Sequence, residues 1–199
     1  MGNKKVLRLT ITALLAGLSY VAFTYLKINI PTPAGSTAFH LGNTFCVLGA
    51  LLLGGPIGGL AGAIGMSIAD IMDPRYIMVA PKTMILKFMI GVTAGFLAHK
   101  VFNIRSLKGK ELTIKVALSA LGGMLFNVAG EPLFGYFYYK FILNMPEKAA
   151  STLMKFNAVT TMTNAILAVI ISTVLYLAIA KRLKNSQILK DIGPKANHF

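Results

Sequence analysis

Tryptophan is absent from this 199-residue chain, cysteine occurs once, and only six residues are acidic. A single cysteine excludes an internal disulfide and any cysteine-spaced metal site, so Cys46 reads as an inert buried thiol. No Walker A loop, GxGxxG, HExxH or CxxC pattern occurs anywhere in the sequence. The chain therefore carries no visible means of hydrolysing ATP or of activating water with a metal. No cofactor is expected. If the protein moves a solute uphill, the energy comes from elsewhere.

What is present is apolar surface. Hydrophobic residues make up 55 % of the chain, charged residues 13 %, and the mean hydropathy is +0.68. That is a membrane composition, and about 20 apolar residues cross a bilayer as a helix. The hydrophobic runs predict spans near 7–28, 41–54, 56–72, 78–100, 113–140 and 154–180. The expected fold is an all-α integral membrane protein: one six-helix membrane domain over 1–199, with short tails about 1–6 and 181–199. Spans two and three are short and joined by the glycine-rich GGPIGG, so their boundaries are the loosest. A cleaved signal peptide is not expected, because Leu7–Ile28 is too long and lacks a clear small-residue cleavage site.

The net charge of +14 suggests nucleic acid until its placement is considered. Lys4, Lys5, Arg8, Lys100, Arg105, Lys108, Lys110, Lys115, Lys181, Arg182, Lys184, Lys190 and Lys195 all fall on one side of a six-span chain. The other side holds Lys27, Arg75, Lys140, Lys148 and Lys155. The positive-inside rule then places both termini in the cytoplasm. The basic fringe is a topology signal and an attraction to anionic headgroups of the lipid bilayer, not a nucleic-acid site.

Small residues recur four apart at Ala13/Gly17, Gly54/Gly58, Gly58/Gly62 and Gly91/Gly95. In membranes such pairs let helix backbones approach closely, and packing within the bundle explains most of them. Ala13 and Gly17 lie near the cytoplasmic end of the first span, where a partner helix has room to dock.

Polar groups inside an apolar bundle are costly, roughly 2.5–3.5 kcal/mol for Lys or Asp at a helix centre, so their positions carry information. Lys82 and Lys87 fall in span four. Asn127, Glu131, Phe134 and Tyr138 form one helical stripe in span five, and Asn157, Thr160 or Thr161, and Asn164 another in span six. At 1.5 Å per residue nearly all of these lie in the outer half of the membrane. His40 and Asn43, in STAFHLGNTF at the mouth of span two, face the same region. Pro132 follows Glu131 and frees a backbone carbonyl one turn earlier, a disturbance typical of helices that line cavities. Together these residues predict an outward-facing solute pocket. Simpler readings stand beside it: Asp70 and Lys87 as a structural ion pair, Asn43 as a cap or interhelical link, Lys82 snorkelling to the surface, and the tyrosines, Tyr139 above all, as an interfacial belt.

FHLGNTFCVLGALLLGGPIGGLAGAIGMSIADIMDP followed by YIMVAPKTMILKFMIG, with NVAGEPLFGYF and NAVTTMTNAILAVI further on, resembles the membrane-embedded S components of energy-coupling factor (ECF) vitamin transporters. The similarity is closest to the branch associated with pyridoxine and hydroxymethylpyrimidine. It implies a six-helix subunit of a bacterial plasma membrane that binds a water-soluble vitamin near its outer face. Such subunits work with a transmembrane coupling subunit (the T component) and two cytosolic ATPases, so this chain itself would not be an enzyme. The family's coupling contact, usually two alanines in helix 1, falls on Ala13 and Gly17. The residues whose spacing predicts the pocket are His40, Asn43, Lys82, Asn127, Glu131, Tyr138, Asn157 and Asn164.

Lys82 departs from the family's APxTxxxK pattern, whose x is usually uncharged. A second cation there suits an anionic vitamin, and pantothenate is the alternative ligand, unless Glu131 neutralises it. Two other classes compete. An ion-coupled carrier is expected to show inverted repeats, and none is convincing here. An intramembrane enzyme needs a nucleophile–base pair, yet His40 has no obvious serine or cysteine partner, and His99 and His198 fall on the cytoplasmic side.

Overall fold

The computed structural model describes residues 2–183 and 188–194. The expected tail residues Lys184, Lys195 and His198 lie outside the described residues. In chain order the elements are α1 (Gly2–Thr24), a hairpin of β1 (Lys27–Thr32) and β2 (Gly35–His40), α2 (Gly42–Leu53), α3 (Gly55–Met72), α4 (Ala80–Phe96), α5 (Gly109–Phe137), α6 (Glu147–Leu183) and α7 (Ile188–Ile192). A 3-10 turn at Ile77–Val79 leads into α4, and π turns at Leu97–Val101 and Tyr138–Ile142 extend α4 and α5.

Five of these helices are long and apolar enough to cross a membrane, by length and composition. The second predicted span is not among them. At 12 residues, α2 reaches about 18 Å, well short of a hydrocarbon core of about 30 Å. It is instead sheathed by protein, and every residue from Gly42 to Leu53 except Phe45 is buried. A helix apolar on all sides belongs in a core, and here it forms the axis that α1, α3, α4 and α6 surround.

A short buried helix must satisfy its terminal carbonyls, because its last four have no partner within the helix. Arg8 of α1 donates to the Leu53 carbonyl (2.8 Å) and Arg105 to that of Leu52 (3.0 Å). A ring nitrogen of His99 lies 3.2 Å from the carbonyl of Ala50. Cationic groups at a helix C-terminus also oppose its dipole. The chain then reverses at Gly54, whose φ of 95° few side chains tolerate. Beneath this end α7 packs on α1, α2 and α6, with Lys4 paired to Asp191 at 2.7 Å. Among the described residues of the two tails, 2–6, 181–183 and 188–192 are helical.

Glycines let α3 press against neighbours on two faces. Gly58 and Gly62 meet α2 at Ala50 and Cys46, and Gly55 and Gly59 meet α4 at Val92 and Gly91. The Gly54/Gly58, Gly58/Gly62 and Gly91/Gly95 pairs are thus contacts inside the bundle. Gly17 differs, having no atom within 4 Å of where its Cβ would stand.

The first helix stops at Thr24, not at residue 28, because Lys27 and Ile28 already belong to β1. The strands pair antiparallel from Lys27–His40 to Thr32–Gly35 across a Pro33–Ala34 turn. This hairpin, absent from the all-helical expectation, covers the end of the bundle opposite α7.

Candidate functional site

Under the hairpin lies a cavity of about 200 Å³ enclosed by β2, the first turn of α2, the last turn of α3, and α4, α5 and α6. His40, Asn43, Lys82, Asn127, Glu131, Asn157 and Asn164 all line it, as do Asp70 and Lys87. Tyr138 does not. Its hydroxyl donates instead to the Met78 carbonyl at 2.9 Å, on an exposed face. Tyr139 takes the expected place, because α5 presents Asn127, Glu131, Gly135 and Tyr139 inward, each four residues on. A four-residue row drifts about 40° per step on a regular helix. The cavity face therefore winds around α5, leaving the i+11 position behind. The π turn beginning at Tyr138 widens the helix where this happens.

The charges form one cluster. Glu131 accepts from Lys82, and its other oxygen lies 3.7 Å from Lys87 Nζ. Lys82 also donates to the Tyr139 hydroxyl at 3.3 Å, which in turn accepts from Asn157 Nδ2 at 3.1 Å. Lys87 donates to Asn127 Oδ1 at 3.2 Å. Among the described residues no ion pair joins Asp70 to Lys87, so that expected pairing gives way to Lys87–Glu131. Asp70 Oδ2 instead accepts from Thr83 at 2.5 Å. Lys82 is 2 % exposed, which also removes the snorkelling alternative.

The hairpin is held from two sides. Asn164 accepts from the His40 backbone N–H (2.9 Å) and donates to the Ala38 carbonyl (3.1 Å), a bidentate clamp on β2, and the Thr37 and Thr160 hydroxyls meet at 2.8 Å. From the loop after α3, Asp73 accepts from Lys27 at 2.8 Å, and the Tyr76 hydroxyl donates to Asn29 Oδ1 at 3.0 Å. The Arg75 guanidinium, reinforced by Lys27, holds the Asp73 carboxyl well below the usual carboxylate range. His40 is packed on Phe23 with ring centroids 4.4 Å apart. Burial, with the Lys87 charge nearby, pushes its pKa down to about 3, so it is a neutral ring at physiological pH.

Several buried polar atoms around the cavity have no partner among the described residues: His40 Nδ1, both amide atoms of Asn43, Asp70 Oδ1 and Asn127 Nδ2. Buried polar atoms left unpaired each cost about 1–3 kcal/mol, so their convergence marks a place built to receive polar groups. Among the described residues no group of three or more His, Cys, Asp or Glu side chains is placed to hold a metal ion. Asn43 is therefore neither a cap nor an interhelical link. Sequence reasoning missed Tyr139, Tyr76 and Thr37, although the Asn127-plus-four rows pointed to the first.

A half-open pocket lined with polar side chains at one end of an apolar helical bundle suits a solute-binding membrane subunit. Residues 3–181 match the sequence model of the family described as ECF-type riboflavin transporter, S component. The chain belongs to that family, whose members are transport subunits. It is also 31 % identical over 83 residues to an uncharacterised protein of Pyrococcus woesei, a match covering 42 % of this chain and 55 % of that relative. The chain thus spans about half the length of the curated relative it matches.

Proposed function

We propose that this chain is the vitamin-binding S component of an ATP-driven ECF importer, taking a single-ring heteroaromatic vitamin of the pyridoxine or hydroxymethylpyrimidine kind. The observation that carries this reading is the hairpin-covered cavity of about 200 Å³ with its converging unpaired polar atoms. Ligand pockets for drug-sized molecules run to about 300–1,000 Å³. The three fused rings and ribityl chain of riboflavin, the vitamin in the family's description, are large for this one. Pantothenate was favoured by a free Lys82, but that ammonium already serves Glu131 and Tyr139. Mass spectrometry of small molecules extracted from the purified protein, followed by calorimetry with each vitamin, tests the assignment. Recovery and binding of a single-ring vitamin is expected; tight binding of riboflavin or pantothenate alone overturns it.

In this reading both termini are cytoplasmic, the hairpin faces outward, and Ala13 and Gly17 meet a transmembrane coupling subunit that two cytosolic ATPases drive. The native thiol supports a clean test of orientation, since Cys46 is fully buried. Lys108→Cys and Lys148→Cys lie at exposed positions at opposite ends of α5 and α6. An impermeant thiol reagent is expected to label Lys148→Cys in intact cells and Lys108→Cys only after permeabilisation. The reverse pattern would invert the orientation and place the cavity inside.

A further inference from the structure

Tyr139 differs from the other cavity residues in how its polar atom is used. It sits in the π turn that extends α5, a local widening found frequently at functional sites. Its ring is 5 % exposed and packs in a small apolar cluster with Ala150 and Leu153 of α6, which fixes where the hydroxyl stands. The oxygen accepts twice, from Lys82 Nζ at 3.3 Å and from Asn157 Nδ2 at 3.1 Å. A phenol also carries one hydrogen of its own to donate, and among the described residues Tyr139 donates it to none. Lys82 and Asn157 approach from α4 and α6, and the cavity that all three residues line is the direction left for that hydrogen. Two donors converging on the oxygen, one of them an ammonium group, polarise the O–H bond and strengthen it as a donor.

We propose that Tyr139 is a ligand-binding residue of this site, its hydroxyl donating to an acceptor oxygen or nitrogen of the occupant and so selecting for an acceptor at that corner. The unpaired atoms of His40, Asn43, Asp70 and Asn127 include donors and acceptors, so together they suit many polar occupants. At Tyr139 the polarity is fixed, because both acceptances of the oxygen are already taken. The Lys82 ammonium beside it adds positive potential at the same place. An occupant that presents an N–H or ammonium group there meets a donor facing a donor, a repulsive element that discriminates as strongly as a new contact. The assignment rests on reading this cavity as a vitamin site, and not on which vitamin fills it.

The test separates donation to a ligand from a merely structural hydroxyl. Calorimetry on the full chain purified free of bound vitamin would use pyridoxine, hydroxymethylpyrimidine, pantothenate and riboflavin as probes. Whichever of them wild type binds, Tyr139→Phe is expected to weaken by about tenfold or more, the scale of one buried hydrogen bond. Tyr139→3-fluorotyrosine, introduced at this one codon, makes the phenol a stronger donor and a weaker acceptor. It is expected to bind the same probe more tightly than wild type. A hydroxyl that only accepts from Lys82 and Asn157 would respond the other way, with weaker binding and a lower melting midpoint, and one that donates to a turned Asn157 amide would leave the affinity unchanged. Either result overturns the proposal, as does wild-type affinity in Tyr139→Phe. If Tyr139→Phe does not fold, the fluorinated protein carries the comparison alone. The expected pattern seen with riboflavin or pantothenate alone keeps the assignment and overturns the single-ring reading. Binding of none of the four probes by wild type overturns both.

Discussion

Glu131→Ala is expected to lose vitamin binding and to unfold at markedly lower temperature than wild type, with about 3–5 kcal/mol of stability removed. The carboxylate is the shared counter-charge of Lys82 and Lys87, which are 2 % and 5 % exposed. Removing it leaves two ammonium groups inside an apolar bundle, and an uncompensated buried charge is what makes broken ion pairs severe. The two lysines lose alike: Lys87 keeps Asn127 Oδ1 and Lys82 keeps the Tyr139 hydroxyl, so each retains one hydrogen bond but no ion pair. Lys82→Met combined with Glu131→Ala removes one of the stranded cations and is expected to recover part of the stability, though not binding. Melting midpoints from size-exclusion profiles of heated, detergent-solubilised protein report the first effect, and calorimetry the second. A Glu131→Ala protein as stable as wild type would mean that the cluster is hydrated and not a packed ionic core.

This cluster also shows what the sequence could and could not disclose. Helical spacing placed Asn127 and Glu131 on one face, and Asn157, Thr160, Thr161 and Asn164 on another, and the cavity uses both. Spacing cannot say which cation a carboxylate chooses. Lys87 had Asp70 and Glu131 as possible partners on different helices, and interhelical rotation decided for Glu131. The hairpin was legible in principle: KINIPT and GSTAFH flank a Pro–Ala turn in a stretch rich in Pro, Thr, Ser and Gly. It was obscured because Lys27 and Ile28 follow a long apolar run without a break. Tyr138 fails for a different reason: the cavity face winds around α5 in four-residue steps from Asn127 to Tyr139, so the i+11 position falls behind it. The short length of α2 was visible at the sequence level, but its consequence depended on tertiary structure. Arg8 and Arg105 make a half-length helix tolerable by reaching its last carbonyls from α1 and from the segment between α4 and α5. Asn164, read as a ligand contact, lines the cavity while the oxygen and nitrogen of its amide each also hold β2.

Two glycines with the same sequence signature are expected to respond in opposite ways to a bulky substitution. A Cβ at Gly91 would stand 2.2 Å from Gly59 Cα and 2.5 Å from Gly59 N, backbone against backbone, with no side chain able to move aside. Gly91→Leu is therefore expected to give no folded protein, because α3 and α4 cannot separate without opening the core that holds Asp70 and Thr83 together. At Gly17 nothing lies within 4 Å, and neighbouring Ala13 is likewise exposed. Gly17→Trp is expected to fold normally and bind its vitamin with wild-type affinity, since the indole projects away from the bundle. Cellular uptake of labelled vitamin, in contrast, is expected to fall by about tenfold or more, because a small-residue face that admits a partner backbone does not admit a large ring. Val174→Trp, at a position 60 % exposed on α6, is the control for a bulky residue in lipid and should leave uptake intact. Copurification of the ATPase subunits with Gly17→Trp, Val174→Trp and wild type reads the coupling contact directly. Normal uptake by Gly17→Trp would remove the α1 face as the docking surface, and loss of vitamin binding with the complex still assembled would tie that face to the pocket instead.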